Sequence, residues 1–176
     1  YNALIKLPLN LPETLTFLNC SNNPLTELKQ LSNQLTELNC SYCHIKIIEN
    51  LPTNQRELTC DNNKLTTLPK LPVSLARLAC QNNLLLSLPD LPESLPDFNA
   101  SNNQLTTLPT LPSKLLGIQV SNNRLTVLPA LPPKLTYLYC ANNALKCLPL
   151  LPGSLTGLSI DNNEITCLPN RVNGLR

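Results

Sequence analysis

The residues best suited to chemistry lie in one five-residue stretch, Cys40-Ser41-Tyr42-Cys43-His44. It matches C-x-x-C-H, the attachment pattern of c-type haem, and thiols and imidazole are also zinc ligands. The chain has eight Cys but a single His, and no second Cys/His pair stands at ligand spacing. Nor does the sequence place His44 beside a nucleophile as in a catalytic triad. We therefore expect no metal, no haem or other cofactor, and no enzymatic activity in this region.

The same two cysteines are explained by an internal repeat of twenty residues that runs through the chain. One apolar column holds Leu18, Leu38, Leu58, Leu78, Phe98, Ile118, Leu138 and Leu158. A second column holds Cys20, Cys40, Cys60, Cys80, Ala100, Val120, Cys140 and Ile160. A third holds Asn23, Cys43, Asn63, Asn83, Asn103, Asn123, Asn143 and Asn163. The haem-like spacing thus arises from two structural columns and one His.

Together the columns spell Leu-x-x-Leu-x-(Cys/Ala/Val/Ile)-x-x-Asn-x-Leu, the leucine-rich-repeat signature at the short end of its length range. The pattern predicts a leucine-rich-repeat solenoid with a curved parallel β-sheet on its concave face. Paired Leu-Pro dipeptides predict an extended, polyproline-like convex side with little or no helix. The column Asn should bond unpaired backbone groups inside the turn. We predict a partial repeat in residues 1–10, eight repeats in 11–170, and a further repeat or linker of a longer protein from 171 to 176.

Composition and charge exclude two classes of partner. The formal net charge is +2, and no basic run or basic-aromatic interleaving is present, so nucleic acid is not expected to bind. No apolar run approaches the ~18–20 residues that a membrane span requires. The expected partner is therefore another protein.

The longer pattern Leu-Pro-x-Leu-Pro-x-x-Leu-x-x-Leu-x-Cys/Val-x-Asn-Asn-x-Leu-Thr-x-Leu-Pro covers nearly the whole chain. It resembles the short Leu-Pro-type repeats of bacterial leucine-rich-repeat effectors, the YopM, IpaH and SspH kind. The resemblance implies a protein-interaction module that bacteria secrete into the host-cell cytoplasm, where it binds a host protein. The identity of that protein and the oligomeric state stay open.

Two alternatives to this interpretation remain. Many of those relatives carry an E3 ubiquitin ligase domain with a Cys-x-Asp motif after the repeats, so the chain could be the substrate-recognition region of a bacterial ligase. The motif itself is missing here, where for example Cys60 is followed by Asp61 and Asn62. An extracellular receptor-type recognition domain is the other alternative. The Asn-x-Ser glycosylation sequons at Asn19, Asn39 and Asn99 bear on it, but we interpret them as accidental, because the strand template itself contains Asn and Ser.

The positions of the cysteines indicate whether the protein acts in a reducing or an oxidising compartment. Five of them fill the second column, where we expect buried thiols that behave as small hydrophobic groups. Cys147 and Cys167 stand one repeat apart in an outward or turn position, close enough for bridging if the repeats stack. Because a cytosolic destination suits free thiols, we expect the reduced state.

Specificity should lie in the outward side chains of the strands, because packing does not dictate their identity. Acidic residues surround Arg77 in the N-terminal half and are suited to a basic partner, whereas Tyr137 and Tyr139 are typical interface anchors. The predicted partner-binding residues are Phe17, Glu37, Glu57, Asp61, Arg77, Asp97, Tyr137 and Tyr139.

Overall fold

The computed structural model describes residues 3–8 and 10–167, so the prediction for residues 171–176 lies outside the described residues. Within this part of the chain there are ten short strands and no helix, and hence no helix that could cross a membrane. The strands are β1 (Phe17–Asn19), β2 (Glu27–Leu28), β3 (Glu37–Asn39), β4 (Ile47–Ile48), β5 (Glu57–Thr59), β6 (Arg77–Ala79), β7 (Asp97–Asn99), β8 (Gly117–Gln119), β9 (Tyr137–Tyr139) and β10 (Gly157–Ser159). Strands β1, β3 and β5 to β10 form one parallel sheet in chain order.

The strands stack with a shift of one repeat, so equivalent positions face each other. Leu38 pairs with Leu58, and Leu58 pairs with Leu78. In β3 the middle side chain is buried while its neighbours are exposed or half-buried, which is the two-residue alternation of a strand. Each apolar column of the sequence therefore becomes a continuous row inside the solenoid.

The hydrophobic core is built from identical layers. In one repeat Leu75, Leu78, Cys80 and Leu85 are all at most 2% exposed. The same positions are buried in neighbouring repeats and join into one cluster along the solenoid. One repeat cannot bury these side chains alone, so each layer depends on the next. The predicted leucine-rich-repeat solenoid, with its curved parallel sheet and its nearly helix-free convex side, is confirmed.

The column Asn side chains tie the layers together through buried hydrogen bonds. The Nδ2 of Asn83 donates to the carbonyls of Cys60, Cys80 and Gln81 at 3.0, 3.1 and 3.2 Å. Its Oδ1 accepts a hydrogen bond from the N–H of Leu65 at 3.0 Å. One side chain thus satisfies backbone groups of two successive repeats, which confirms that the column Asn is structural.

The convex side is extended chain in most repeats. Because proline fixes φ near −65° and biases the preceding residue away from the α conformation, Leu68-Pro69 and Leu71-Pro72 keep the return segment open. The chain then turns back toward the sheet where the N–H of Leu75 donates to the carbonyl of Pro72 at 3.1 Å.

The first two repeats depart from this pattern in a way that the sequence analysis did not predict. Strands β2 and β4 pair in parallel on the convex side. Lys29 and Glu49 stand where later repeats carry proline, so the backbone keeps its N–H donors, and the N–H of Glu49 donates to the carbonyl of Leu28 at 3.0 Å. Lys29 Nζ also lies 3.0 Å from a carboxylate oxygen of Glu27 and 3.9 Å from one of Glu49.

The expected reduced state was wrong for one pair of cysteines. Cys147 and Cys167 are joined by a disulfide in the structure, and both side chains are exposed. The physical reason is the stacking of the repeats: an isolated parallel bridge pairs the two residues and brings their Cα atoms to 4.9 Å. The six other cysteines are free and buried.

Reduction of this disulfide is expected to loosen the solenoid between residues 147 and 167. The bond closes a loop of 20 residues, and on the chain-entropy description such a cross-link contributes about 3 kcal/mol. We expect dithiothreitol to lower the melting temperature and to speed amide hydrogen exchange in residues 145–167. A Cys147→Ser/Cys167→Ser variant serves as the control, since it should resemble the reduced protein and ignore the reductant. Equal stability of the oxidised, reduced and double-Ser proteins would contradict the prediction.

Candidate protein-binding face

The outward side chains of the eight-stranded sheet form three parallel rows, which we call the concave face. The first row is Phe17, Glu37, Glu57, Arg77, Asp97, Gly117, Tyr137 and Gly157. The second row is Asn19, Asn39, Thr59, Ala79, Asn99, Gln119, Tyr139 and Ser159. The third row, just past the strands, is Ser21, Ser41, Asp61, Gln81, Ser101, Ser121, Ala141 and Asp161. The solenoid places these side chains in register, so one continuous surface displays them.

The N-terminal half of the first row concentrates negative charge. Glu37 and Glu57 are register partners on adjacent strands, and Arg77 follows Glu57 in the same row. Phe17, which is 55% exposed, precedes Glu37. Like charges directly opposite each other on neighbouring strands repel. A basic group of a partner placed between the two glutamates would relieve this repulsion.

Asp61 behaves differently from the glutamates because the next strand already engages it. Its Oδ1 accepts a hydrogen bond from the N–H of Gln81 at 3.0 Å. The Oε1 of Gln81 in turn accepts a hydrogen bond from Nδ2 of Asn99 at 2.8 Å. Partial burial raises the pKa of Asp61, while the hydrogen bonds from Gln81 and the charge of Arg77 act in the opposite direction. Asp61 therefore helps to order the face. Glu37 is exposed and is the more accessible carboxylate, whereas Glu57 is half-buried like Asp61.

Two tyrosine rings dominate the C-terminal half of the face. The ring centroids of Tyr137 and Tyr139 lie 5.4 Å apart with 33° between their planes, which is typical of a favourable aromatic pair. Tyr139 is 40% exposed, and Tyr137 is half-buried. Burial raises the pKa of Tyr137, and the charge of Asp97 adds to the effect, whereas a hydrogen bond with Gln119 opposes it. The pair is a rigid, amphipathic surface of the kind that anchors interfaces.

Glycines on both sides make room for these rings, a feature that the sequence analysis did not identify. A Cβ at Gly117 would overlap the ring of Tyr137, and a Cβ at Gly157 would lie 3.3 Å from the hydroxyl of Tyr139. Tyr137 thus lies across the bare backbone of β8, and Asp97 is the register partner of Gly117 on the far side. The available signal was that two of the four glycines in the chain fall in one outward strand column.

The structure therefore links two features that the sequence analysis treated separately. The row passes from Asp97 through Gly117 to Tyr137, so the aromatic pair continues directly into the acidic half. Pro96 also interrupts the ladder beside Asp97, because proline has no N–H to donate to the carbonyl of the preceding strand. The predicted residues share one face, with Phe17 and the tyrosine pair near its two ends.

The cysteine and histidine cluster is divided between the interior and the surface. Cys40 is fully buried, Cys43 is 5% exposed, and His44 lies on the surface. Burial, with smaller contributions from Cys20, Cys43 and Asp61, raises the pKa of Cys40, so this thiol stays protonated. In the described ranges, no three His, Cys, Asp or Glu side chains lie together in a group that could hold a metal ion. Haem and zinc are therefore not assigned to this stretch.

Comparison with solved structures reveals close relatives. YopM from Yersinia enterocolitica superposes with a TM-score of 0.94 at 37% sequence identity, covering 99% of this chain and 39% of YopM. A Shigella effector leucine-rich-repeat domain gives a TM-score of 0.76 at 31% identity, covering 86% of this chain and 71% of that domain. The functional domain of InlJ from Listeria monocytogenes, which includes a cysteine ladder, gives 0.82 at 34% identity over 95% of this chain and 39% of that one. No family model matches the chain, and no curated protein does.

Fold and surface together define a leucine-rich-repeat protein-interaction module: a regular scaffold that displays variable side chains in rows. The relatives give a more specific assignment, since the Shigella domain is matched at 31% identity over 71% of its own length. The chain belongs to the family of bacterial leucine-rich-repeat effectors. It spans 39% of the length of YopM, the first of these relatives.

Proposed function

We infer that the chain is the recognition module of a secreted bacterial effector and that its concave face binds a host protein, within the host-cell cytoplasm. The observation that carries this proposal is the aromatic pair Tyr137 and Tyr139, which stands on the outward side of the sheet and adjoins the acidic half through Asp97. Neither ring belongs to the hydrophobic core. Tyrosine is among the residue types that most often dominate the affinity of an interface.

The charges of the face indicate the chemistry of the partner. Glu37, Glu57 and Asp97 stand in the first row against a single Arg77, so the row is acidic from β3 to β7. A partner with basic side chains opposite the glutamates and an apolar or planar group over the tyrosines fits both halves. The repeat region contributes binding, and we assign no catalytic residue to it.

The test reverses charge on the concave face. We expect the chain to retain a protein from a host-cell lysate, and a Glu37→Arg/Glu57→Arg variant to bind the purified partner at least about tenfold more weakly, because it places cations against a basic surface. The matched control is Asp90→Arg/Glu164→Arg, which makes the same charge change at exposed positions outside the concave face. Equal weakening by the two variants would argue for non-specific electrostatics, and no effect of either would contradict the assigned face.

A second candidate is favoured by the disulfide between Cys147 and Cys167. Disulfides persist mainly in oxidising compartments, so this bond suits an extracellular recognition domain better than a cytosolic one. Unfolding the protein recovered from its site of action without reductant, alkylating the free thiols and measuring the mass separates the two candidates. Six alkylated cysteines support the extracellular function, and eight support the cytoplasmic one.

A further inference from the structure

The stretch from Cys40 to His44 contains a strained backbone position. In each of eight copies the second residue after the buried Cys column has a positive φ of 54–57°. Seven copies place Asn there, and one places Tyr42, with φ 54°. Asn tolerates this left-handed conformation because its short side chain bonds the local backbone, whereas a bulky residue there is a genuine outlier. Tyr42 therefore carries a backbone strain that its equivalents avoid.

Hydrogen bonding is weak in the same repeat, at the two residues that flank Tyr42. Cys43 replaces the ladder Asn, and its Sγ reaches the carbonyls of Cys20 and Ser41 only at 3.5 Å. In the next repeat, the Oδ1 of Asn63 accepts a hydrogen bond from the N–H of Ile45 at 2.9 Å. A thiol is a poor acceptor, so Cys43 cannot replace the Asn at this position. The buried Oγ of Ser41 has no hydrogen-bond partner. Three unfavourable features thus coincide in one segment of the solenoid.

The side chain of Tyr42 contributes little to packing. Its side chain is 62% exposed and does not belong to the hydrophobic core. It follows the third row of the concave face directly, and the N–H of Tyr42 donates to the carbonyl of Asp61 at 2.9 Å. This bond holds the backbone of Tyr42 in register at the edge of the concave face. Strained residues cluster at functional sites, which makes Tyr42 a candidate contact residue.

Three exposed basic residues lie near Tyr42 on the side away from Asp61 and the acidic sheet. His44 and Lys46 follow on the same exposed side of the chain, and Lys64 is exposed at the position equivalent to His44 in the next repeat. The N–H of Lys64 donates to the carbonyl of Ile45 at 2.9 Å, which places the two repeats side by side. We call Tyr42, His44, Lys46 and Lys64 the rim patch. It combines one exposed aromatic ring with two lysines and a histidine.

We propose that Tyr42 is a docking anchor that inserts into an apolar pocket, flanked by carboxylates, on the same protein partner that the concave face binds. This inference rests on the proposed function and extends the interface from the sheet onto its rim. The ring supplies buried apolar area at low entropic cost, and the hydroxyl can bond an acceptor inside the pocket. Lys46 and Lys64 face the carboxylates around that pocket. The partner therefore presents basic groups to the sheet and acidic groups to the rim.

The test is Tyr42→Asn, which restores the residue found in the seven other copies. We expect opposite signs in two measurements: the melting temperature rises by roughly 2–4 °C as strain is released, and affinity falls at least about tenfold. The probe is the purified protein that the wild-type chain retains from a host-cell lysate. A merely structural Tyr42 would lose stability on substitution, so a fall in melting temperature overturns the proposal.

The matched control is Asn102→Tyr, which places the same residue in the same conformation, φ 57°, three repeats away. It should lower the melting temperature, because it introduces the strain that Tyr42→Asn removes. Tyr42→Phe should bind within a few-fold of wild type. Lys46→Glu/Lys64→Glu should weaken binding at least about tenfold, and unchanged affinity would refute the carboxylate-flanked pocket.

The outcomes also separate this inference from the proposed function. If the tyrosine pair on β9 is required and Tyr42→Asn binds normally, the rim anchor is wrong and the proposed function stands. If Tyr42→Asn abolishes binding and the β9 tyrosines are dispensable, docking by Tyr42 is supported and binding through the concave face is refuted. Retention of no protein at all, or retention that neither variant alters, overturns both.

Discussion

Replacing Asn83 by Ala is expected to lower the free energy of unfolding by about 3 kcal/mol, because the substitution leaves one buried backbone N–H without an acceptor and removes three further hydrogen bonds. The N–H of Leu65 would lose its acceptor. The carbonyls of Cys60 and Cys80 would each lose one of two side-chain donors, since Asn63 and Asn103 also donate to them. Asn83 is 6% exposed, so water cannot replace these bonds without opening the layer. Chemical denaturation followed by circular dichroism measures the effect.

The size of this effect follows from the architecture as well as from the bonds. Asn83 joins two adjacent repeats near the middle of the array, and a solenoid is stabilised by its nearest-neighbour interfaces. The loss should therefore divide the array into two weaker halves and reduce the cooperativity of unfolding. Amide exchange should increase first around residues 60–85.

The control for Asn83→Ala is Thr107→Ala, which removes an exposed side chain outside the concave face and should change stability by less than about 0.5 kcal/mol. Asn83→Asp adds a finer comparison, since a carboxylate keeps the acceptor for Leu65 but loses the donor to Cys60 and Cys80. An Asn83→Ala protein as stable as the Thr107→Ala protein would refute the buried ladder.

Changing Tyr137 and Tyr139 together to Ala is expected to weaken partner binding about 100-fold, which corresponds to about 2.7 kcal/mol. Both rings stand on the outward side of β9, outside the hydrophobic core, so the melting temperature should change little. Titration calorimetry with the purified partner gives the affinity, and circular dichroism checks the fold.

Gly117→Val tests the same surface without removing either ring. A Cβ at this position would overlap the ring of Tyr137, so the ring must leave its place over β8. We expect this variant to lose much of the affinity although both tyrosines remain. Val127→Ala is the comparison, because it truncates an exposed apolar residue outside the concave face. Wild-type binding by the Tyr137→Ala/Tyr139→Ala protein would remove the pair from the interface.

Most of the architecture was predictable from the sequence because the repeat is regular. Leu18, Leu38 and Leu58 recur at a separation of twenty, and only stacking in register lets such a column bury every member. The strand positions follow from the alternation around these residues. The convex side was predicted less completely: β2 and β4 form because Lys29 and Glu49 retain backbone N–H groups that proline lacks.

The candidate site was predictable only as a set of rows. The two-residue period shows that Tyr137 and Tyr139 point outward together, but not that Tyr137 leans over Gly117 toward Asp97. That direction is a side-chain rotamer chosen by the space that the neighbouring strand leaves open. The strain at Tyr42 was hidden for a similar reason, because a positive φ becomes visible only from the backbone.

By itself, the sequence determined the repeat length, the inward and outward faces and the structural role of the column Asn, since these depend on periodicity and on local residue chemistry. Only the tertiary structure decided the pairing of Cys147 with Cys167, the seating of the tyrosine pair and the strained rim residue Tyr42. Each of these depends on the distance and orientation of groups one repeat apart. A one-dimensional pattern specifies which residues recur, whereas three-dimensional stacking specifies which of them touch.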